Sequence, residues 1–326
     1  MGDRIEIQFR RDLAALVPEG ATVLAAVSGG GDSVALLHLL VRAVRSRRLR
    51  VTVAHLDHGL RRGSRSDRRF VEGLAAELSV DCISDRQEVA AARRRDESPE
   101  EAARRVRRSF LLRAASMAGT EQIATGHTLD DQAETVLMRL VRGAGATALT
   151  GMAEAGPGPF VRPLLGFERS ELRDWLRRRG LEFREDPTNR SMRFDRNRVR
   201  RLVLPVLAEQ LNPRAARHLV KAARRFREDA VYLDGVADRL ARRLCRTDRS
   251  GRLVIEARGL GSAPPVLARR VARLALERAG ADPRRLGARH VESLVGLTDA
   301  PGRSEIHLPG RLKARKTRGR IVISGE

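Results

Sequence analysis

The sequence predicts an α/β fold, with a parallel-sheet domain followed by a smaller, mainly helical α+β domain. Three observations carry that expectation. Short apolar runs alternate with helical periodicities as far as about residue 185. The first run, Thr22-Val23-Leu24-Ala25-Ala26-Val27, is apolar enough to be a strand buried on both faces, as in a parallel sheet. After Pro187 the alternation gives way to long helical stretches, with β-prone segments only toward the C-terminus.

In chain order, strands are expected at 22–27, 51–56, 81–86 and 121–125, and helices at 33–46, 66–78, 99–117, 130–142 and 168–179. The helix at 33–46 follows from Val34, Leu36, Leu37, Leu40, Val41 and Val44, which share one face at helical spacing. The helix at 99 has a well-marked start: Ser98 caps it, Pro99 fits its first turn, and Glu100 and Glu101 suit its dipole. Gly180 ends the helix that begins at 168. Further on, a helix is expected at 196–210 despite Pro205, and Asn212-Pro213 punctuate before a long helix to about Arg246. A strand at Arg252–Glu256, helices at 264–279 and 287–296, and β segments at 304–308 and 320–324 complete the reading. The sequence holds no repeats and no low-complexity linker. The expected boundary lies near residue 205, dividing the chain into 1–205 and 206–326.

The 326 residues suffice for two domains of about 150 residues each. No apolar run approaches the ~18 residues that span a bilayer, and the N-terminus has no signal-peptide core. Only Cys82 and Cys245 are present, in no C-x-x-C pair, which points to a reducing compartment and a cytoplasmic protein. The net charge is +23, and 61 of the 64 basic residues are Arg. Residues 1–205 carry 37 basic and 28 acidic groups; residues 206–326 carry 27 and 13. The more basic C-terminal part suits a polyanion much larger than a nucleotide. Aromatic residues, at 3%, are too few for a platform that stacks long single strands.

Ser28-Gly29-Gly30-Gly31-Asp32-Ser33 joins the first strand to the next helix. Strand, glycine loop and helix start form a phosphate cradle: the backbone comes close, the amides face the anion, and the helix dipole favours negative charge. No Lys follows the glycines, so this is not a Walker A loop. A second segment, Thr125 to Glu134, leaves the fourth strand, opens a helix and lies beside the glycine loop in a doubly wound sheet. Two carboxylates next to a bound phosphate call for Mg²⁺ between them, and Asp32 and Asp131 are the candidate ligands.

The loop resembles the SGGxDS pyrophosphate-binding loop of the ATP pyrophosphatases. The likeness becomes specific when further segments are added: His55-Leu56-Asp57-His58-Gly59-Leu60-Arg61, Glu100-x-x-Ala103-Arg104-x-x-Arg107, Gly126-His127-x-x-Asp130-Asp131-Gln132-Ala133-Glu134-Thr135 and Arg142-Gly143-Ala144-Gly145. With Glu185-Asp186-Pro187-Thr188-Asn189, Arg196-Asn197-Arg198-Val199-Arg200 and Leu204-Pro205-Val206-Leu207, the chain resembles the tRNA(Ile)-lysidine synthases over residues 28–207.

That resemblance implies an adenine-nucleotide α-hydrolase-like (PP-loop) domain and a basic tRNA-binding domain at 206–326. It implies that ATP is a substrate, that Mg²⁺ is required, and that the partners are free L-lysine and an isoleucine tRNA whose first anticodon base is cytidine. The implied reaction is attack of the cytidine C2 oxygen on the α-phosphorus of ATP, followed by displacement of AMP by the lysine side-chain amine. Residues Ser28 to Ser33 would hold the nucleotide. Asp32, His127, Asp131 and Arg104 are the candidate catalytic residues, and Asn189, Asn197, Arg198 and Arg200 the candidates for contact with the tRNA. A homodimer is also implied, and no membrane. The sequence departs from the family at Arg108, where Tyr is frequent, and at Thr128, where a second His is common; both bear on fine positioning. The tail at Leu308-Pro309-Gly310 resembles the shorter members. The rival readings are a tRNA thiolase, which needs a cysteine nucleophile or C-x-x-C, an amidotransferase-type synthetase, which needs an ammonia source, and a nucleotide-dependent RNA-binding protein without turnover.

Overall fold

The structure is a computed structural model that describes residues 3–325 apart from 58, 60–63, 90, 96, 157, 186–190, 193 and 284. Contacts divide the chain into two units, Met1–Arg225 and Phe226–Glu326. Residues 206–225, on the C-terminal side of the boundary expected from sequence, pack within the first unit.

The first unit is built on a five-stranded parallel sheet in the order β3-β2-β1-β4-β5. The strands are β1 (Thr22–Ala26), β2 (Arg50–Asp57), β3 (Asp81–Arg86), β4 (Ile123–Thr125) and β5 (Phe160–Val161). Between them run α2 (Gly31–Arg47), α3 (Ser64–Glu77), α4 (Pro99–Met117) and α5 (Leu129–Val141), with α6 (Arg169–Arg178) after β5. Alternate residues of β1 enter different cores. Val23, Ala25 and Val27 pack with Leu36, Leu40, Leu172 and Trp175, whereas Leu24 and Ala26 pack with Phe110, Leu111 and Ala114 of α4. Helices therefore cover both faces, as a fully apolar parallel strand requires. The strand order reverses between β1 and β4, so the loops after these two strands meet at the carboxyl edge of the sheet.

Two features of this unit escaped the sequence reading. Helix α1 (Arg4–Leu16) precedes β1, buries Phe9 and Leu13 one turn apart, and starts where Asp3 accepts from the Ile5 amide at 3.1 Å. Strand β5 has only two residues, too few for a periodic signal. The cap expected at Ser98 is present, and the structure extends it to a capping box, the Glu101 carboxylate accepting from the Ser98 amide at 2.9 Å.

The helix expected at 196–210 is helical throughout but not uniform. It comprises α7 (Asp195–Arg198), a π-helical stretch at Val199–Val203, and α8 (Leu204–Gln210). The Leu204 amide reaches back five residues to the Val199 carbonyl. Pro205 has no N–H and its ring excludes an ordinary turn before it, so the backbone widens there.

The second unit takes in the later part of α9 (Ala215–Leu244). It holds a five-stranded antiparallel sheet ordered β6-β7-β10-β9-β8, from β6 (Cys245–Thr247), β7 (Leu253–Glu256), β8 (Ser304–Leu308), β9 (Leu312–Thr317) and β10 (Arg320–Gly325). With α10 (Ala257–Gly261), α11 (Pro265–Arg278) and α12 (Ala288–Gly296) it forms the second domain of the expected α+β kind. Strand β9 was not foreseen because Lys313, Arg315 and Lys316 hide the alternation of buried Leu312 and Ala314. Among the described residues no helix is long and apolar enough to cross a membrane.

One core residue makes the first unit acid-sensitive. His38 on α2 is buried, and its Nε2 has no hydrogen-bond partner. Burial, assisted by the charge of Arg42, lowers its pKa to about 4. The unfolded chain takes up a proton near pH 6.5 that the folded chain refuses until about pH 4, so stability falls as pH drops through that window. The effect is about 2 kcal/mol at pH 5. His38→Leu should remove most of it, reducing the loss of urea stability between pH 8 and pH 5. The readout is fluorescence of Trp175, the chain's one tryptophan, which is buried in this unit.

Candidate active site

The glycine loop has the backbone its sequence requires. Gly29 takes φ +89°, which L side chains rarely adopt, and Gly30 leads into α2 as its cap. Ser33 ties the loop back on itself: its Oγ accepts from the Ser28 amide at 3.1 Å and donates to the Gly30 carbonyl at 2.8 Å. The amides at Gly31 and Asp32 open the helix and have no acceptor within it. A chain segment after α6 closes one side of the loop. The Arg184 amide donates to the Gly29 carbonyl at 2.9 Å, Phe183 lies against Gly31, and the Arg184 guanidinium sits over the Phe70 ring.

The segment after β4 comes against this loop. A Cβ on Gly126 would lie 3.1 Å from the Asp32 carbonyl carbon and oxygen, so any side chain there would push the two segments a few tenths of an ångström apart. Thr128 caps α5 and fixes Asp131: its amide and its hydroxyl reach Asp131 Oδ2 at 2.9 and 3.0 Å. The departure from the family at Thr128 therefore supplies a hydroxyl to the carboxylate. The other departure, Arg108, stacks its guanidinium over Phe160, 4.7 Å from the ring centre.

Asp32, Asp131 and Glu134 meet here with three arginines. Arg169, first residue of α6, donates from Nε to Asp32 Oδ2 at 3.0 Å and from a terminal nitrogen to Asp131 Oδ1 at 3.1 Å. Its backbone amide donates to Asp130 at 2.8 Å. Arg196 and Arg200 donate from Nε to the two oxygens of Glu134, at 2.7 and 2.6 Å, and each also reaches Asp131 Oδ1 at 3.1 Å. The Glu134 side chain is fully buried.

Burial and charge act on these groups in opposite senses. Burial holds Asp32 above the ordinary carboxylate range, because Arg169 only partly offsets the lost hydration and Asp131 adds a second negative charge. Burial opposes ionisation of Asp131 too, but Arg169, Arg196 and the Thr128 amide outweigh it and hold the pKa at about 2. The stability Asp131 supplies is present above pH 3.8 and is lost as pH falls through 2. His127 accepts or donates at Nδ1 with the Thr125 hydroxyl, 2.9 Å away. Burial lowers its pKa to about 4 although Asp131 is near, so its ring is neutral at physiological pH.

The structure thus brings together Ser28–Ser33, Asp32, His127, Asp131 and Arg200 of the expected site residues. Arg104 is exposed on α4, one turn before Arg107, whose charge acts on both Asp131 and His127. Arg198 is exposed and paired with Asp195; Asn197 donates to the Ser191 carbonyl at 2.8 Å. Asn189 lies outside the described residues. The sequence reading assigned no site role to Arg169, Arg196 or Glu134. Glu134 was within reach, three residues after Asp131 and so on the same helix face. Arg169 was not, since nothing local links it to Asp32, 137 residues away.

Asp32 and Asp131 were expected to share a cation, and here they share the guanidinium of Arg169. Their chemistry still suits Mg²⁺, because Asp32 Oδ1 is buried and without a hydrogen-bond partner. Among the described residues no three His, Cys, Asp or Glu side chains form a metal cage, so two carboxylates and a triphosphate would have to supply the ligands.

The family model for the PP-loop domain matches residues 4–207. A tRNA(Ile)-lysidine synthase of Thermus thermophilus is 43% identical over 97% of this chain, which covers 59% of that relative. One of Thermobifida fusca is 35% identical, with 99% of this chain and 97% of the relative aligned. This chain spans about three fifths of the length of several relatives it matches. Among solved structures, the U34-tRNA thiolase NcsA from Methanococcus maripaludis shares the fold, with a TM-score of 0.58 at 18% identity, over 68% of this chain and 77% of that one. The chain belongs to the PP-loop family and, within it, to the tRNA(Ile)-lysidine synthases.

Proposed function

We propose that the chain uses ATP to join free lysine to C2 of the first anticodon cytidine of an isoleucine tRNA. The observation that carries this reading is the meeting of Asp32, Asp131 and Glu134 with Arg169, Arg196 and Arg200 directly beside the glycine loop. A site that only senses a nucleotide has no need of such a cluster where the α-phosphate would lie.

In the first step the cytidine C2 oxygen attacks the α-phosphorus, an O–P bond forms and pyrophosphate leaves. The loop amides and the start of α2 grip the departing pyrophosphate, while guanidinium groups stabilise charge on the pentavalent phosphorus. Asp32 and Asp131 would hold Mg²⁺, which supplies charge neutralisation at the phosphates. In the second step the lysine side-chain amine attacks C2, a C–N bond forms and AMP leaves. Neutral His127 is available for hydrogen bonding to a reacting group in either step.

The anticodon base reaches this site as part of a loop, where extruding one base costs less than from a duplex. The exposure of Arg198 on α7 supports a contact with the RNA backbone, and the basic residues of 206–326 supply further affinity for a polyanion. The thiolase reading is weaker. Burial raises the pKa of both thiols, that of Cys82 to about 11, so neither is a ready nucleophile.

Two experiments test the proposal. Labelled lysine with ATP should enter an isoleucine tRNA transcript whose first anticodon base is cytidine and not one bearing uridine; label in both, or in neither, contradicts it. Asp32→Ala should lower tRNA-dependent ATP–pyrophosphate exchange by at least about a hundredfold while leaving tRNA affinity within about threefold. Substantial residual exchange would remove Asp32 from the reaction.

A further inference from the structure

The contacts around Asp131 are uneven in a way that points to exchange. Three guanidinium groups crowd its Oδ1, each at 3.1 Å, although a carboxylate oxygen has about two lone-pair directions. Arg196 and Arg200 have better partners, since their contacts with Glu134 are 2.7 and 2.6 Å, within the range of strong charged hydrogen bonds. Buried Glu134 therefore anchors those two, and Asp131 Oδ1 is the oxygen whose partners can be given up. Arg169 has no such anchor. Its nearest Glu134 oxygen is 3.7 Å away, and its hydrogen bonds go to Asp32 and Asp131, the two carboxylates read above as Mg²⁺ ligands.

We infer that Arg169 is a positioning residue that makes the binding of Mg²⁺ and of the ATP triphosphate depend on each other. The inference rests on the assignment of Asp32 and Asp131 as the ligands of Mg²⁺. Without nucleotide, Arg169 holds the two carboxylates together and neutralises them, so Mg²⁺ alone has to displace a guanidinium that gains no new partner. With ATP present the displaced guanidinium, still at the first turn of α6 beside the loop, pairs with a phosphate. Carboxylate–guanidinium contacts are exchanged for carboxylate–metal and guanidinium–phosphate contacts, and no charge is left unpaired. Such coupling is reciprocal: ATP tightens Mg²⁺ binding and Mg²⁺ tightens ATP binding by the same factor.

Calorimetric titration of the full chain with MgCl₂ alone, ATP alone and both together tests this, without tRNA or lysine. Wild type should bind Mg²⁺ alone weakly and bind ATP at least about tenfold tighter with Mg²⁺ than without. Arg169→Ala should bind Mg²⁺ alone about tenfold tighter than wild type, gain thermal stability from Mg²⁺ that wild type does not, and lose affinity for ATP in its presence. Arg169→Lys keeps the charge but reaches one carboxylate at a time, so its affinity for Mg²⁺ alone should fall between the two. Trp175 fluorescence reports whether each variant is folded. Equal affinity for Mg²⁺ alone in wild type and the folded variants overturns the inference. Coupling that survives in a protein unable to transfer lysine would count against the proposed reaction and leave this inference standing.

Discussion

Glu134 is a carboxylate with no solvent exposure, and its burial is tolerable only because Arg196 and Arg200 each place a guanidinium on it. Much of the site's architecture answers to that pairing. The two arginines stand four residues apart, so a helical segment presents both to one partner. That segment is the one that widens into a π-turn before Pro205, and π-turns recur where side chains must be aimed at a site. The same arginines reach Asp131, which Thr128 holds from its other side. Arg169 then extends the cluster to Asp32 in the glycine loop.

Topology makes this possible with few residues. Because the strand order turns at β1 and β4, the two loops that lead into the helix starts bearing Asp32 and Asp131 leave the sheet side by side. Gly126 removes the side chain that would hold them apart, and Gly29 gives the loop its turn. The loop offers backbone amides to an anion, and the cluster offers charges of both signs next to it. A nucleotide bound there meets positive groups at its phosphates without a large net charge having to be buried beforehand.

The parallel sheet and most of its helices were legible because buried strands and amphipathic helices leave strong local periodicities, as at Val23–Val27 and Leu36–Leu40. The cap at Ser98 was legible because its signal is local, whereas the reciprocal bond from Glu101 that completes a capping box is seen only in the structure. Elements whose signal is short or masked were not: two-residue β5, and β9 with its run of basic side chains. The site divides similarly. Asp32 and Asp131 stand in motifs that advertise them, whereas the role of Arg169 depends on a contact across 137 residues, and no pattern of spacing encodes that. The π-turn was not legible: 196–210 reads as one helix running through Pro205, and only the structure shows that the helix accommodates the proline by widening.

The arginines after residue 195 and the carboxylates of α5 are bound into one cluster, in which removing a side chain weakens the others. A double-mutant cycle on Glu134→Gln and Arg200→Gln measures this directly, by urea unfolding of the full chain read through Trp175. Each single change should cost about 3 kcal/mol, because it leaves a buried charge short of its partner. The double variant should cost less than their sum by more than about 1 kcal/mol. Strictly additive losses would mean the opposite, that the two side chains sit together without depending on each other.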